Sequence, residues 1–242
     1  MVSRPRGHGR WTREKLSLDL SNEAVLEEVG RARIAYYRER AEWFDDIYDC
    51  AGDYDGGEDQ NRQWRTDLAD IEKALALAPL RGSCVELGIG TGYWTERYID
   101  RVERLVGLDA SVEMLETARR RLSAHAHKVD LEVTDLWRWK PGRLWDSAVA
   151  CFFVEHVPDE LLPGLLRSLH DALRPGGAVF IAEAAARDSQ PQVESRDIHD
   201  RRFLVVERPR TSGQLADAFG AAGFEVEVAG SLRFVHAVAK RR

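Results

Sequence analysis

Long apolar runs and cysteine are scarce in this chain of 242 residues, and basic side chains are outnumbered by acidic ones, 35 to 41. No apolar stretch approaches the roughly 18 to 20 residues of a membrane helix, and the start of the chain lacks the apolar segment of a secretory signal. Cys50, Cys84 and Cys151 are odd in number and far apart, which favours core thiols over a disulfide framework. The formal net charge of −6 disfavours nucleic acid as a partner. We therefore expect a cytoplasmic protein with no membrane partner.

Signals for a metal site and for a phosphate site are also missing. His125 and His127 stand in "SAHAHKVD" without a second pair of ligands, so no metal is expected. Tyr93 occupies the final glycine position of the dinucleotide fingerprint G-x-G-x-x-G, and the chain has no G-K-[ST]. A ligand that depends on phosphate recognition is therefore disfavoured.

Hydropathy patterning divides the chain into a helical first part and an alternating second part. Residues 1–20 are predicted to be a flexible basic arm, and residues 21–80, with a possible N-cap at Ser21, a helical lead-in or cap rich in aromatic residues. After Gly82, short apolar runs alternate with amphipathic segments or turns, which predicts an α/β domain over 81–242. Parallel strands joined by crossover helices place helices on both faces of an open sheet. The segment from about 184 to 210 is long enough to serve as a substrate lid.

The stretch "CVELGIGTGYWTERY", residues 84–98, carries three glycines directly after the first strand of that domain. Gly88, Gly90 and Gly92 let the backbone turn sharply and approach a ligand, and a helix starting near Tyr93 would aim free amides at an anion. Ligands of open α/β sheets bind beyond the carboxyl ends of the strands, where this loop lies. Glu86 precedes the loop, and Asp109 closes the second strand where an acidic residue accepts hydrogen bonds from a ribose.

Five motifs in order resemble those of the class I S-adenosylmethionine-dependent methyltransferases. They are "VELGIGTGYWTERY", "VGLDASVEMLETAR", "VTDLWRW", "WDSAVACFFVEHVPDE" and "LRPGGAVFIAEA", over about residues 83–184. The lead-in "YYRERAEWFDDIYD" and the late "DRRFLVV" are similar to bacterial enzymes that methylate small molecules. The resemblance implies a Rossmann-like, doubly wound, seven-stranded and mostly parallel sheet with a helical N-terminal cap. It also implies S-adenosylmethionine as cofactor and S-adenosylhomocysteine as product.

The same resemblance implies a role for each residue that matches a family motif. The glycines would follow the methionine part of the cofactor, Glu86 its ammonium, and Asp109 both ribose hydroxyls. The adenine and the sulfonium would be bordered by Ala110, Met114, Asp135, Leu136, Cys151 and Phe152. Either Tyr36 or Tyr37 of the lead-in would face the cofactor. Alternatives stay open: Glu86 and Asp109 as helix caps, Asp135 as a turn former and Met114 as core.

Three side chains are candidates for proton transfer from the methyl acceptor. His156 follows the fourth strand beside the expected methyl group and has a suitable ordinary pKa, although a structural role is equally open. Glu155 is the second candidate. His199, in the expected lid, is the third, with a surface turn as its alternative.

The methyl acceptor is expected to be a small, partly apolar molecule. "CFFV" replaces the [N/D]-P-P-[Y/F] stretch of enzymes that methylate base amines, and no RNA-binding module is added. O- or N-methylation is the first interpretation, and C-methylation is possible. An RNA or protein methyltransferase and a cofactor-binding protein without methyl transfer are the alternatives. A homodimer is a further possibility.

Overall fold

The computed structural model describes residues 14–186, 192–198 and 200–242. Its helices are α1 (Glu23–Arg40), α2 (Asp46–Asp49), α3 (Glu58–Leu77), α4 (Val112–Arg121), α5 (Leu162–Ala172) and α6 (Ser212–Ala221). Its strands are β1 (Glu14–Leu16), β2 (Ser83–Leu87), β3 (Arg104–Asp109), β4 (Val129–Val133), β5 (Trp145–Cys151), β6 (Leu173–Ala184), β7 (Gln192–Ile198), β8 (Arg201–Glu207), β9 (Phe224–Gly230) and β10 (Phe234–Arg241). Short 3-10 turns occupy Gly52–Tyr54, Thr95–Arg97, Ile99–Arg101, Ser123–His125, Leu136–Arg138 and Val154–His156.

Seven strands form the central sheet in the order β4-β3-β2-β5-β6-β10-β9. Neighbouring strands from β4 to β6 are parallel, and β10 is antiparallel to both β6 and β9. The order reverses direction between β2 and β5, which is the place where such sheets bind ligands. The predicted Rossmann-like, mostly parallel sheet is therefore confirmed.

Hydrophobic clusters cover both faces of the central sheet. On one face, α5 and α6 bury apolar side chains such as Leu166 and Phe219. On the other face, α3 contributes Ile71 and Leu75, which pack with Tyr98. The strands between them are hydrophobic on both sides because water reaches neither face.

Helix α1 lies over the carboxyl edge of the sheet. Asn22, one residue after the expected Ser21, caps it by accepting hydrogen bonds from the Ala24 and Val25 amides. Val29 and Tyr36 occupy its apolar side and pack against a second sheet, while Arg33 and Tyr37 lie on the side that faces the central sheet. Helix α1 therefore forms a layer between two sheets.

The small sheet is three-stranded and antiparallel, in the order β1-β7-β8. Glu14 pairs with Ser195, so the last part of the arm expected to be flexible over residues 1–20 is instead a strand. The segment expected to be a lid, about 184–210, holds the β7 and β8 pair and packs on α1. Pairing between residues this distant leaves no local signal in the sequence.

One other expectation about secondary structure is wrong. No α-helix begins near Tyr93, because residues 93–101 form the 3-10 turns Thr95–Arg97 and Ile99–Arg101. The segment "RRFLVVE" is β8 of the small sheet, and β9 supplies the last strand of the central sheet. Among the helices of the described residues, none has the length and apolarity required to cross a bilayer. Cys50, Cys84 and Cys151 are buried free thiols.

Candidate functional site

A cavity of about 390 Å³ lies between α1, the small sheet and the carboxyl edge of the central sheet. It contains most of the residues that the sequence singled out. Those that line it are Tyr37, Glu86, Gly88, Gly90, Asp109, Ala110, Met114, Leu136, Cys151, Phe152, Glu155 and His156. Residues from seven different elements or turns thus meet at the point where the strand order reverses.

Three of the singled-out residues lie elsewhere, and a fourth is not among the described residues. Tyr36 is buried on the side of α1 that faces the small sheet, and its hydroxyl accepts hydrogen bonds from Arg40 and Arg196. Gly92 packs beside α4. Asp135 caps the Leu136–Arg138 turn and lines a separate surface groove. His199 is outside the described residues. Between the two adjacent tyrosines, the structure therefore places Tyr37 at the cavity.

The loop after β2 keeps its backbone open to the cavity. Gly88 has φ +71°, and a Cβ there would lie 2.8 Å from the Phe153 ring, so a side chain would be both strained and blocked. A Cβ at Gly90 would meet only the Gly88 carbonyl, at 4.0 Å, and would instead occupy empty cavity. The loop is therefore shaped for close approach of a ligand to bare backbone.

Two buried carboxylates flank this loop. Glu86 accepts hydrogen bonds from the Thr95 and Tyr98 hydroxyls on Oε2, which leaves Oε1 for a ligand. Burial raises its pKa to about 7. Asp109 accepts the Gly90 amide at 3.0 Å on Oδ2 and the Ser111 amide at 2.9 Å on Oδ1. Each oxygen of Asp109 keeps a second lone pair, so a pair of hydroxyl groups fits here.

Aromatic rings form the wall between the loop and β10. Tyr48 stacks on Tyr93 with ring centroids 4.0 Å apart, and the Phe152 ring lies 5.7 Å from Trp94 and 5.5 Å from Phe234. Phe152 has φ 53°, a left-handed conformation that is costly for a bulky residue. These rings present apolar faces that favour a cationic group and exclude water.

Tyr37 and His156 form a hydrogen-bonded pair across the cavity. The Tyr37 hydroxyl and His156 Nε2 are 2.8 Å apart, and Nδ1 is 2.8 Å from the Val206 carbonyl. Since a carbonyl only accepts, Nδ1 carries the proton and Nε2 accepts from Tyr37 in the neutral ring. Burial lowers the pKa of His156 to about 4 and raises that of Tyr37 well above its ordinary value. Both groups are therefore uncharged at neutral pH.

Charged residues of the small sheet close the far wall. Arg196 is buried and pairs with Glu194 and Glu207, so its charge is compensated. Burial, and then the carboxylates of Glu183 and Glu207, raise the pKa of Glu155 well above its ordinary value. Glu155 therefore accepts a proton more readily than an exposed carboxylate does. Within the described residues, no group of three or more His, Cys, Asp and Glu side chains is arranged to hold a metal ion.

Comparisons with known proteins point to one family. The chain matches the family described as "Methyltransferase domain" over residues 84–177. It is 28% identical to an uncharacterized methyltransferase of Geobacillus kaustophilus over 204 residues, 80% of this chain and 94% of that protein. It is 38% identical to a trans-aconitate 2-methyltransferase of Azoarcus sp. over 113 residues, 44% of this chain and 42% of that enzyme.

Solved structures of one protein agree with this chain over nearly its whole length. The DhpI–SAH complex has a TM-score of 0.75 at 26% identity and covers 89% of this chain and 98% of DhpI. The DhpI–SAM–HEP complex has a TM-score of 0.74 at 27% identity and covers 88% of this chain and 97% of DhpI. This chain belongs to the class I S-adenosylmethionine-dependent methyltransferases. The protein is therefore a methyltransferase, with S-adenosylmethionine as its cofactor and S-adenosylhomocysteine as the product.

The cavity of this methyltransferase fits that cofactor. A buried carboxylate with a free oxygen suits an ammonium group, a second carboxylate suits a pair of hydroxyl groups, and aromatic rings suit a sulfonium. The glycine loop leaves room for the chain of atoms between them. The chemistry of the lining therefore agrees with the family.

Sequence reasoning found Glu86, Asp109 and Glu155 but missed the other five charged residues of the cavity. Those five are Arg33, Arg40, Glu194, Arg196 and Glu207. One signal was available for Arg33, which precedes Tyr37 by four residues and so shares its face of α1. The residues of β7 and β8 offered none, because their position depends on the small sheet.

Proposed function

We propose that the methyltransferase transfers the methyl group to a small-molecule acceptor, with O- or N-methylation as the first choice. The supporting observation is the enclosure of the cavity by α1 and the small sheet. A volume of about 390 Å³ lies in the range of small-molecule sites. In this proposal, residues 21–80 are a cap and the segment of about 184–210 is a lid over the acceptor.

The cofactor roles in this proposal follow the geometry of the loop. Glu86 accepts from the ammonium through Oε1, and Asp109 accepts from the ribose hydroxyls while the Gly90 and Ser111 amides hold it in place. Ala110, Met114 and Leu136 border the adenine. The cofactor supplies an activated methyl group on a positively charged sulfur, and the chain supplies alignment and exclusion of water.

The acceptor roles fall on the pair of Tyr37 and His156. His156 holds Tyr37 through Nε2 while the Val206 carbonyl holds Nδ1, so His156 is a positioning residue in this proposal. The Tyr37 oxygen keeps its lone pairs for the cavity and orients the methyl acceptor. Glu155, which lines the cavity with its Oε1 3.7 Å from His156 Nε2, contacts the methyl acceptor in this proposal. C-methylation remains the second choice because aromatic rings surround the same space.

Two named relatives support a small acceptor. The Azoarcus enzyme is a trans-aconitate 2-methyltransferase, and DhpI has been solved with SAM and HEP together. The first match covers less than half of that enzyme, so it suggests the size and polarity of an acceptor rather than its identity.

Calorimetric titration with S-adenosylmethionine and S-adenosylhomocysteine is the first test, and the second is detection of S-adenosylhomocysteine in reactions with candidate acceptors. The panel contains small acids, amines and phenols, a mixed tRNA and a denatured protein. Turnover with a small molecule supports the proposal. Turnover with RNA or protein alone contradicts it, and binding of cofactor without turnover favours a binding protein.

A further inference from the structure

Arg33 is a buried cation that has no counter-ion among the described residues. Its side chain lines the cavity, and the residue is 7% exposed. Its Nε has no hydrogen-bond partner, and no described residue accepts a hydrogen bond or forms an ion pair with its guanidinium. The guanidinium lies over the Trp137 ring, whose centroid is 4.7 Å from Cζ. A guanidinium has five N–H donors, so this one is almost entirely available to a ligand.

The other two arginines of the cavity already have polar partners. Arg196 pairs with Glu194 and Glu207, and Arg40 donates to the hydroxyls of Tyr36 and Tyr54. Burying an unpaired charge is costly, so an arginine in a protein interior normally has a carboxylate or a similar anion beside it. Burial lowers the pKa of Arg33, as expected for a cation that lacks such a partner.

The nearest carboxylates do not fill this role. Asp109 and Asp135 attract Arg33 electrostatically but form no ion pair with it. Asp109 is already engaged with the Gly90 and Ser111 amides, and Asp135 with the Trp137 amide. Trp137 is itself held by a 3.1 Å hydrogen bond from Nε1 to the His156 carbonyl. The guanidinium therefore stacks on a fixed ring on the same side of the cavity as His156.

His156 offers no free proton acceptor, because both of its ring nitrogens are engaged, Nδ1 with Val206 and Nε2 with Tyr37. A methyl acceptor that must lose a proton to His156 would have to displace Tyr37. A methyl acceptor that is already an anion needs no base.

We propose that Arg33 binds an anionic oxygen group, a carboxylate or a phosphonate, of the methyl acceptor. This inference rests on the proposed function. The anionic oxygen forms the new O–CH₃ bond while the S–CH₃ bond breaks and its electron pair stays on sulfur. The products are a methyl ester and a neutral thioether, and no proton has to move. The carboxylate of the cofactor's own methionine part is the other source of the same chemistry.

Binding measurements on the full-length protein test this inference without relying on turnover. Benzoate, trans-aconitate and methylphosphonate are titrated calorimetrically into protein saturated with S-adenosylhomocysteine, and also into protein without it. Dimethyl methylphosphonate is the uncharged control ligand. The variants are Arg33→Gln and Arg33→Lys. The control variant is Arg31→Gln, because Arg31 lies on the same helix but has a side chain 71% exposed and paired with Glu27.

We expect at least one anion to bind the wild-type protein and the neutral ester not to bind. Arg33→Gln should weaken anion binding by about tenfold or more, as for loss of a charge-assisted hydrogen bond, while Arg31→Gln has no effect. Arg33→Lys should recover part of the affinity because it keeps the charge but not the planar donor geometry. Affinity should fall as salt is added.

Titrations with cofactor analogues show whether the anion bound by Arg33 belongs to the methyl acceptor or to the methionine part of the cofactor. If Arg33→Gln weakens S-adenosylhomocysteine but not 5′-methylthioadenosine, which lacks the amino-acid part, the anion belongs to the cofactor. If it weakens both, Arg33 contacts the adenosine and the proposal is wrong. Absence of anion binding to the wild-type protein in either condition also overturns it. Failure of the wild-type protein to bind S-adenosylhomocysteine counts instead against the proposed function, and the titrations without cofactor still test Arg33.

Discussion

The central sheet and the small sheet form two walls of one cavity, and they are built differently. In the central sheet, each cavity residue lies in its own strand or just after it, as Glu86 does in β2 and Asp109 at the end of β3. In the small sheet, the cavity residues Glu194, Arg196 and Glu207 depend on pairing among β1, β7 and β8 and on contact with α1.

The difference also appears in what holds each wall. The wall formed by the central sheet, called the cofactor wall after its proposed role, is held by backbone turns and hydrogen bonds to amides. The contacts of Asp109 with the Gly90 and Ser111 amides are an example. The wall formed by the small sheet, called the acceptor wall after its proposed role, is held by the buried Arg196 guanidinium, which pairs with the carboxylates of Glu194 and Glu207. Backbone turns tolerate varied neighbours, whereas a buried charge depends on every partner being present. If the walls have the roles proposed above, the cofactor wall is the general part of the enzyme and the acceptor wall is the part that can be specialised.

Removing Arg196 should break the acceptor wall and spare the cofactor wall. Arg196→Met removes the buried cation that pairs with Glu194 and Glu207, so we expect a loss of about 3–5 kcal/mol in the free energy of unfolding. Urea unfolding followed by circular dichroism measures this loss. S-adenosylhomocysteine affinity, measured where the variant is still folded, should stay within about twofold because no cofactor contact is removed.

A surface ion pair of the same sheet provides the control for Arg196. Arg201 lies in β8 and pairs with Glu39 at 3.0 Å, but its side chain is 63% exposed. Arg201→Met should cost less than about 1 kcal/mol, because exposed pairs are screened by solvent. Equal losses for the two variants would show that burial of Arg196 has no special importance.

Removing Asp109 should break the cofactor wall and spare the small sheet. Asp109→Ala loses hydrogen bonds to the ribose in a partly buried site, so S-adenosylhomocysteine should bind about 2 kcal/mol more weakly, roughly 30-fold. Calorimetry measures the change. Asp135→Ala is the matched control, since Asp135 lies outside the cavity and caps a turn. An equal loss in the control would place Asp135 against the adenine, as the family resemblance implies.

These two walls also mark how far the sequence could be interpreted. The loop of Gly88 and Gly90, with Glu86 before it and Asp109 at the next strand, was found because carboxyl ends of parallel strands converge at one edge. The small sheet was not found, because the charged pattern of β7 and its pairing with residues 14–16 give no local signal. The choice between Tyr36 and Tyr37 required the layer above α1, where Tyr36 is covered by Phe203 and Val205.

The 3-10 turns after the glycine loop show a different limit. A helix was expected to start near Tyr93 after the glycine loop, but Trp94 and Tyr98 are buried in the core and Tyr98 donates to Glu86 at 2.8 Å. Tertiary contacts of this kind override a weak local preference. Arg33 shows a third limit of sequence reasoning. Its place on the same face of α1 as Tyr37 could have been predicted, but the absence of a counter-ion among the described residues could not.

The pair of Tyr37 and His156 lies between the two walls, and its removal should affect turnover more than cofactor binding. Tyr37→Phe and His156→Gln should each lower turnover by about tenfold, the cost of one lost hydrogen bond at the methyl acceptor. The double variant should lose little more, because the two residues act as a unit. Steady-state kinetics with an acceptor from the panel measures this. Additive losses would mean that the residues act separately.

The pH profile of the same reaction tests the role of His156. With a pKa of about 4, His156 is neutral at every pH above about 5, so turnover should show no inflection near its ordinary value of 6.5. An inflection near that value, present in the wild-type protein and absent from His156→Gln, would establish His156 as the general base and contradict the positioning role.

The smallest expected effect is the dependence of cofactor affinity on the charge of Glu86. Burial raises the pKa of this carboxyl to about 7, so the free protein holds it largely protonated below that pH, whereas an ammonium ligand requires the ionised form. Affinity for S-adenosylhomocysteine should therefore fall as the pH falls, by about fivefold between pH 7 and pH 6, and binding should release protons. Calorimetry in buffers of different ionisation enthalpy measures the release.

Glu86→Gln should remove the pH dependence of cofactor affinity, and 5′-methylthioadenosine, which has no ammonium group, should not show it in the wild-type protein. Equal pH dependence for both ligands would assign the titration to Asp109, whose pKa burial also raises, and would move the charge-sensitive contact from the methionine end of the cavity to the ribose end.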